Sequence, residues 1–299
     1  MDAFLQGLGD EIEDADEGLL SPNLPLIHPS NEVSAETFYL FSQSHSSRDL
    51  GMVDGKAAEL EITIGDRDFT IKQSPGVLQS KRQGGTTGAA VWECSVRFAQ
   101  WLGSSTNPLF TQRMLDKESH VLELGAGISG LVPLMLVPRV KEVVATDQQY
   151  ALNILRENVQ ANTATNTKPR HSKTDSANIA VLSLDWEADD FASTLRSHGQ
   201  REAFDAVVAC DCVFNYALIE PFVQACAEAC RFGRDDEDRC TTAKPAICLV
   251  AQQLRQPDVF QQWLEAFLQA FRVWRIPDNG LTDRLKEGGG FAVHIGMLR

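Results

Sequence analysis

From His120 onward, short apolar runs alternate with longer stretches of helical periodicity, and few folds accommodate that alternation. The runs at 120–124, 142–146, 179–184, 205–210 and 246–252 are rich in Val, Leu, Ile and Ala, as strands buried on both faces should be. Between them, 149–161 places Ala151, Leu155 and Val159 on one helix face. Residues 257–270 do the same with Phe260, Trp263, Leu264 and Phe267, behind Pro257 at a natural first-turn position. The pattern predicts a doubly wound α/β sheet, mostly parallel, with helices on both faces. Ligands of such sheets bind at the carboxyl ends of the strands, so chemistry is sought there.

The chain before this region divides in two. Residues 1–47 contain nine acids and no Lys or Arg, are rich in Ser, Pro and Asn, and lack apolar periodicity. They are expected to form a solvated, disordered acidic tail; attraction of a basic protein partner is the other reading. Residues 48–88 are expected to form a β-hairpin extension and a hinge. Leu60, Ile62 and Ile64 alternate with polar residues, Gly65-Asp66 turns the chain, and Phe69 and Ile71 resume the alternation. The principal domain then covers 89–299, opening on a helix from Ala89 to Leu102, with inserted loops at 161–178 and 231–244. The net charge of −14 gives no basic footprint for direct nucleic-acid binding. No apolar run spans a bilayer and no signal pattern opens the chain, so a cytoplasmic location is expected. The seven cysteines form no CxxC pair and several sit in apolar runs, which reads as buried free thiols. The six histidines lack ligand spacing, and no metal is expected.

The strongest local signal is Val-Leu-Glu-Leu-Gly-Ala-Gly-Ile-Ser-Gly, residues 121–130. Gly125, Ala126 and Gly127 follow a buried strand directly, where glycine lets the backbone turn sharply and approach a ligand. Alone, such a turn also fits a structural tight turn or a dinucleotide site. Three acids at successive strand ends shift the balance. Glu123 would repel a pyrophosphate but welcome a sulfonium and an ammonium. Asp147 ends the second run and can accept hydrogen bonds from ribose hydroxyls. Asp185 and Trp186 end the third and offer an acid and an aromatic face to adenine. The fourth run emerges at Cys210-Asp211-Cys212-Val213-Phe214. Asp211 can hold a substrate amine in line with a methyl group, or cap the helix that begins near Tyr216. Phe214 supplies an apolar wall that desolvates a lysine amine. The rival readings are a nicotinamide-dependent dehydrogenase, for which no catalytic His or Tyr-x-x-x-Lys is evident, and a cofactor-binding adaptor without activity.

These residues, with GGTTGAAVWECS, ATDQQYALNILRENV, LDWEADDF, DAVVACDCVFNYALIEPF and QLRQPDVFQQWLEAFLQAFRVWRIPD, resemble the seven-strand protein methyltransferases. Within that class the chain is most similar to the ribosomal lysine N-methyltransferase 5 family, from about residue 57 to 299. The resemblance implies a seven-stranded class I methyltransferase sheet and S-adenosylmethionine as cofactor. It implies a protein lysine as substrate, on a large-subunit ribosomal protein; another protein client is the alternative, and a monomer is expected. It also implies cofactor contacts by Trp92, Gly125 to Gly127, Asp147, Trp186 and Cys210, with Asp211 to Phe214 at the substrate mouth. The chain departs from the commoner Asp-x-x-Tyr form in carrying Phe214, so a tyrosine hydroxyl has no part here.

Overall fold

Two helices, α1 (Asp2–Leu8) and α2 (Glu32–Ser42), precede the first strands. β1 (Glu59–Ile64) and β2 (Arg67–Lys72) pair antiparallel around Gly65, whose φ of 64° suits glycine in the turn. Their inward residues Ile62, Ile64, Phe69 and Ile71 are buried, as the alternation predicts. After α3 (Pro75–Leu78), α4 (Glu93–Gly103) and α5 (Pro108–Thr111) come the elements of the main sheet. In chain order these are β3 (His120–Leu124), α6 (Leu131–Leu136), β4 (Glu142–Asp147), α7 (Leu152–Thr165), β5 (Ile179–Ser183), α8 (Phe191–Ser197) and β6 (Ala206–Cys210). There follow α9 (Ile219–Arg231), β7 (Ile247–Gln253), α10 (Pro257–Ala270), β8 (Phe271–Arg275) and β9 (Phe291–Leu298). This computed structural model describes residues 1–13, 32–43, 51–78, 86–165, 178–234 and 244–299.

The sheet order is β5-β4-β3-β6-β7-β9-β8, with β9 antiparallel to both its neighbours and the rest parallel. It is the doubly wound, mostly parallel seven-stranded sheet expected. Alternate residues of each strand feed two cores. Val121, Val143, Ala206, Val208 and Leu249 face α4, α6 and the β1–β2 hairpin; Leu122, Val144, Val207 and Val250 face α8, α9 and α10. The order places β3 third of seven, next to β6, where the winding reverses and crossovers leave on opposite sides. Register puts Leu124 beside both Thr146 and Ala209, so the loops after β3, β4 and β6 open at one level.

The expectation of a disordered tail through residue 47 needs correction where residues are described. Phe4 of α1 and Val33 and Leu40 of α2 are buried, and Phe41 meets Phe260 edge to face at 5.7 Å. Ile12 bridges antiparallel to Val273, extending the sheet beyond β8. Glu36 pairs with Arg275 at 2.9 Å and with His294 Nε2 at 3.2 Å, which also gives His294 a structural place. Burial opposes ionisation of Glu36, but the His294 and Arg275 partners outweigh it and hold its carboxyl below the usual range. An acidic segment can thus order itself when a few apolar residues and paired carboxylates meet a prepared surface. The six described cysteines are all buried and free. Cys240, the inserted loops over 166–177 and 235–243, and most of the expected hinge lie outside the described residues. The first inserted loop was expected from 161, but α7 continues to Thr165.

Candidate active site

One cleft of about 820 Å³ opens at the carboxyl ends of β3, β4, β5 and β6. Trp92, Gly125, Ala126, Gly127, Asp147, Asp185, Trp186, Cys210, Asp211 and Phe214 all line it. Its floor is the turn after β3. Gly125 and Gly127 have φ of 70° and 60°, in the left-handed region that glycine enters without strain. A Cβ on Gly125 would stand 2.6 Å from Cys212 Sγ and 3.2 Å from the Trp186 ring. The Gly127 amide donates to Asp147 Oδ2 at 2.7 Å and the Gln148 amide to Oδ1 at 2.7 Å. Two backbone donors thus aim the Asp147 carboxylate, and its remaining lone pairs are left for a ligand.

Glu123 departs from expectation. It does not line the cleft but lies 2 % exposed behind it, and its Oε2 has no hydrogen-bond partner among the described residues. β3 is an interior strand paired with β4 and β6, so even its penultimate residue is inside the fold. Burial, then the nearby Asp147 charge, push the Glu123 pKa up to about 8, which favours its neutral form near pH 7 and weakens any pull on a sulfonium. Burial also raises Asp147, to about 6, against the two amides that favour its charged form. A raised carboxyl pKa costs folding stability as pH climbs from the unfolded to the folded value. Glu123→Gln is therefore expected to leave cofactor affinity within about threefold, since a neutral side chain replaces a neutral one. Its gain in thermal stability over wild type should widen from pH 5 to pH 8; a large loss of affinity would return Glu123 to the binding site.

The opposite wall carries a pairing that local sequence does not reveal. Arg255 grips Asp211 with both arms, Nη1 to Oδ1 at 2.7 Å and Nη2 to Oδ2 at 2.5 Å, while Nη2 also donates to Gln253 Oε1. The guanidinium lies 5.3 Å from the centre of the Trp92 ring, whose indole N–H donates to Thr87 O. Side-chain exposures of 4 % for Asp211 and 19 % for Arg255 make this a largely buried ion pair. Asp211 itself has φ of 59°, a conformation Asp tolerates better than most residues. The capping alternative for Asp211 does not hold: Asn215 accepts from the Leu218 amide and fills that role. Phe214, 37 % exposed, stands at the mouth.

Residues given no role in the sequence also line the cleft, chiefly Thr87, Gly88, Gln148 and Tyr150, and Cys212 joins them from the expected substrate mouth. The Gly88 amide donates to Tyr150 Oη at 3.1 Å, and Ile128 N donates to Gly88 O, so the segment before α4 closes over the glycine turn. The Gly-Gly-Thr-Thr-Gly segment was the available signal: it carries part of the family resemblance, but residue by residue it reads as a hinge, with no ligand role for Thr87 or Gly88.

An acid beneath a glycine turn, an aromatic beside the third strand and a second acid at the fourth define an adenosyl-cofactor cleft of the methyltransferase kind. The fit is supported by Trp186 Nε1, a buried donor without a partner among the described residues, and by the vacant lone pairs of Asp147. A family model for lysine methyltransferases matches residues 72–233, and the chain belongs to that family. Among curated relatives it is 27% identical to ribosomal lysine N-methyltransferase 5 of Zygosaccharomyces rouxii, over 74% of this chain and 76% of that protein. It is 31% identical to a diaminohydroxyphosphoribosylamino-pyrimidine deaminase of Schizosaccharomyces pombe over 81% of this chain, which spans about half (53%) of that relative. Among solved structures, a tRNA (uracil-54, C5)-methyltransferase of Pyrococcus abyssi in complex with S-adenosyl-L-homocysteine aligns at TM-score 0.40 and 12% identity, over 81% of this chain and 45% of that one.

Proposed function

We propose that the protein is an S-adenosylmethionine-dependent lysine N-methyltransferase whose client is a large-subunit ribosomal protein. The carrying observation is the placement of Asp147, aimed by two backbone amides, across one cleft from Asp211 and Phe214. The ribosomal client is supported by relatives such as that of Zygosaccharomyces rouxii. When bound, S-adenosylmethionine supplies an electrophilic methyl group already activated by its sulfonium.

The chain's own residues supply position and environment. Asp147 would hold the ribose, the 125–127 backbone would let the cofactor approach closely, and Asp185 and Trp186 would meet the adenine. Trp92 and Cys210 form apolar wall. Phe214 removes water from the incoming amine, which lowers its pKa and favours the neutral nucleophile. Asp211, fixed by Arg255, keeps lone pairs with which to orient an amine hydrogen. Alignment of two reactants is worth several orders of magnitude without any covalent intermediate on the protein. A monomer working in the cytoplasm suffices for this reading. Among the described residues no helix is long and apolar enough to cross a membrane.

Asp147→Ala is expected to weaken S-adenosylmethionine binding by roughly 5- to 150-fold, the loss of about 1–3 kcal/mol of hydrogen bonding. Wild-type affinity should also fall as pH drops through about 6, where Asp147 takes up a proton, and Asp147→Asn should flatten that dependence. Calorimetry on both variants decides; unchanged affinity places the ribose elsewhere. The client is tested by incubating the protein with methyl-labelled S-adenosylmethionine and purified large ribosomal subunits. Label is expected in one protein band; label in RNA, or none, overturns the ribosomal assignment.

A further inference from the structure

A second, smaller cleft of about 330 Å³ adjoins the first, and Phe214 belongs to both. Its other walls include Gln252, Arg255, Gln256, Val259 and Phe260. Asp211 faces the first cleft and Arg255 the second, so the ion pair lies along the partition. Gln252, at the end of β7, is only 3 % exposed, and its Nε2 has no hydrogen-bond partner among the described residues. A buried amide donor left unmatched is costly, and native proteins rarely retain one unless something else satisfies it. The first turn of α10 borders the same space: no side chain caps it at Gln256, and Pro257 has no N–H to offer. The unmatched Gln252 donor therefore belongs to a small cleft with apolar walls from Val259, Phe260 and Phe214. The complementary ligand is an uncharged acceptor on a flat, partly apolar body.

A peptide group matches that description, and one comes with every lysine in a protein client. Resting on the methyltransferase reading above, the geometry points to this cleft as the subsite for the client's main chain beside the target lysine. Gln252 donates to a substrate carbonyl there while the lysine side chain passes Phe214 into the first cleft. Specificity for protein over free amine would then reside in Gln252, a positioning residue that does not touch the reacting atoms.

N-methylacetamide, a bare peptide group, tests the subsite without any client. It is titrated into the full chain, loaded with S-adenosylhomocysteine and labelled with 15N at glutamine side chains. The Gln252 carboxamide resonance is expected to shift saturably, with a midpoint on the order of 100 mM for so few atoms, while the exposed Gln6 and Gln160 do not saturate. A Gln252 signal that moves no differently from theirs overturns the proposal. In the second arm Gln252→Met, similar in size but unable to donate, should raise the KM for the labelled client about tenfold with kcat nearly kept. S-adenosylmethionine affinity should stay within about twofold. An unchanged KM also overturns it. Should wild type label no ribosomal protein, the client assignment fails, and the titration still decides the subsite.

Discussion

Asp211→Asn is expected to lose at least a hundredfold in methyl transfer while binding S-adenosylmethionine almost as well as wild type. Substrate alignment and the charge that favours the amine both weaken, whereas Asp147 and the glycine turn are untouched. The substitution should also cost stability, because Arg255 would stay largely buried with its bidentate partner reduced to a neutral amide. Breaking a buried pair from one side typically costs about 3–5 kcal/mol; the 19 % exposure of Arg255 and its contacts with Gln253 and Trp92 moderate this to about 2–3 kcal/mol. Asn is the informative replacement, since it also tolerates the left-handed backbone at φ 59°. A doubly substituted Asp211→Asn, Arg255→Met protein should recover much of the stability and none of the turnover. Recovery of turnover in the double variant would show that Asp211 matters only for holding Arg255.

Removal of residues 1–43 is expected to lower the melting temperature by roughly 10 °C, or to leave the protein insoluble. Phe4, Val33 and Leu40 are each 2 % exposed or less, and burial of such side chains is worth about 1.5–3 kcal/mol apiece before the ordering cost of two helices is subtracted. Truncation also strips Arg275 and the wholly buried His294 of their carboxylate partner. A net loss of about 3–4 kcal/mol corresponds to that shift in a domain of this size. The narrower variant Leu40→Ala should lose about 2–5 kcal/mol by itself. Differential scanning calorimetry at saturating cofactor reads both, and a truncated protein melting within a degree or two of wild type would show that the segment contributes nothing.

The strands and α10 were legible because burial on both faces, or on one helix face, leaves a periodic trace in the residues themselves. Pro257 and Ala270 bound α10 as the 257–270 pattern predicts. In the Ser-, Pro- and Asn-rich start the trace is short: α2 buries Val33 and Leu40 and sets Phe41 against Phe260 within a single acidic segment, while Glu36 reaching β8 and β9 is a contact no local pattern encodes. Asp211–Arg255 escaped notice for the same reason, the partners lying 44 residues apart and meeting only through the β6–β7 register. Glu123 shows a different limit. An acid near a strand end reads as facing ligand, but on a strand paired on both sides that position is interior, and burial pushes the carboxyl toward its neutral form. The glycine turn, Asp147 and Trp186 line the cleft where the sequence puts them, because sharp turns and strand-end polar residues are local features with local signatures.

The transfer of a methyl group to a lysine side chain is tested most directly on the modified residue. The wild-type protein, incubated with methyl-labelled S-adenosylmethionine and a cell extract, should yield a labelled protein whose hydrolysate carries the label as methylated lysine, and Asp211→Asn should abolish it. Label recovered on another amino acid or on nucleic acid, or equal labelling by the Asp211→Asn variant, would contradict the account.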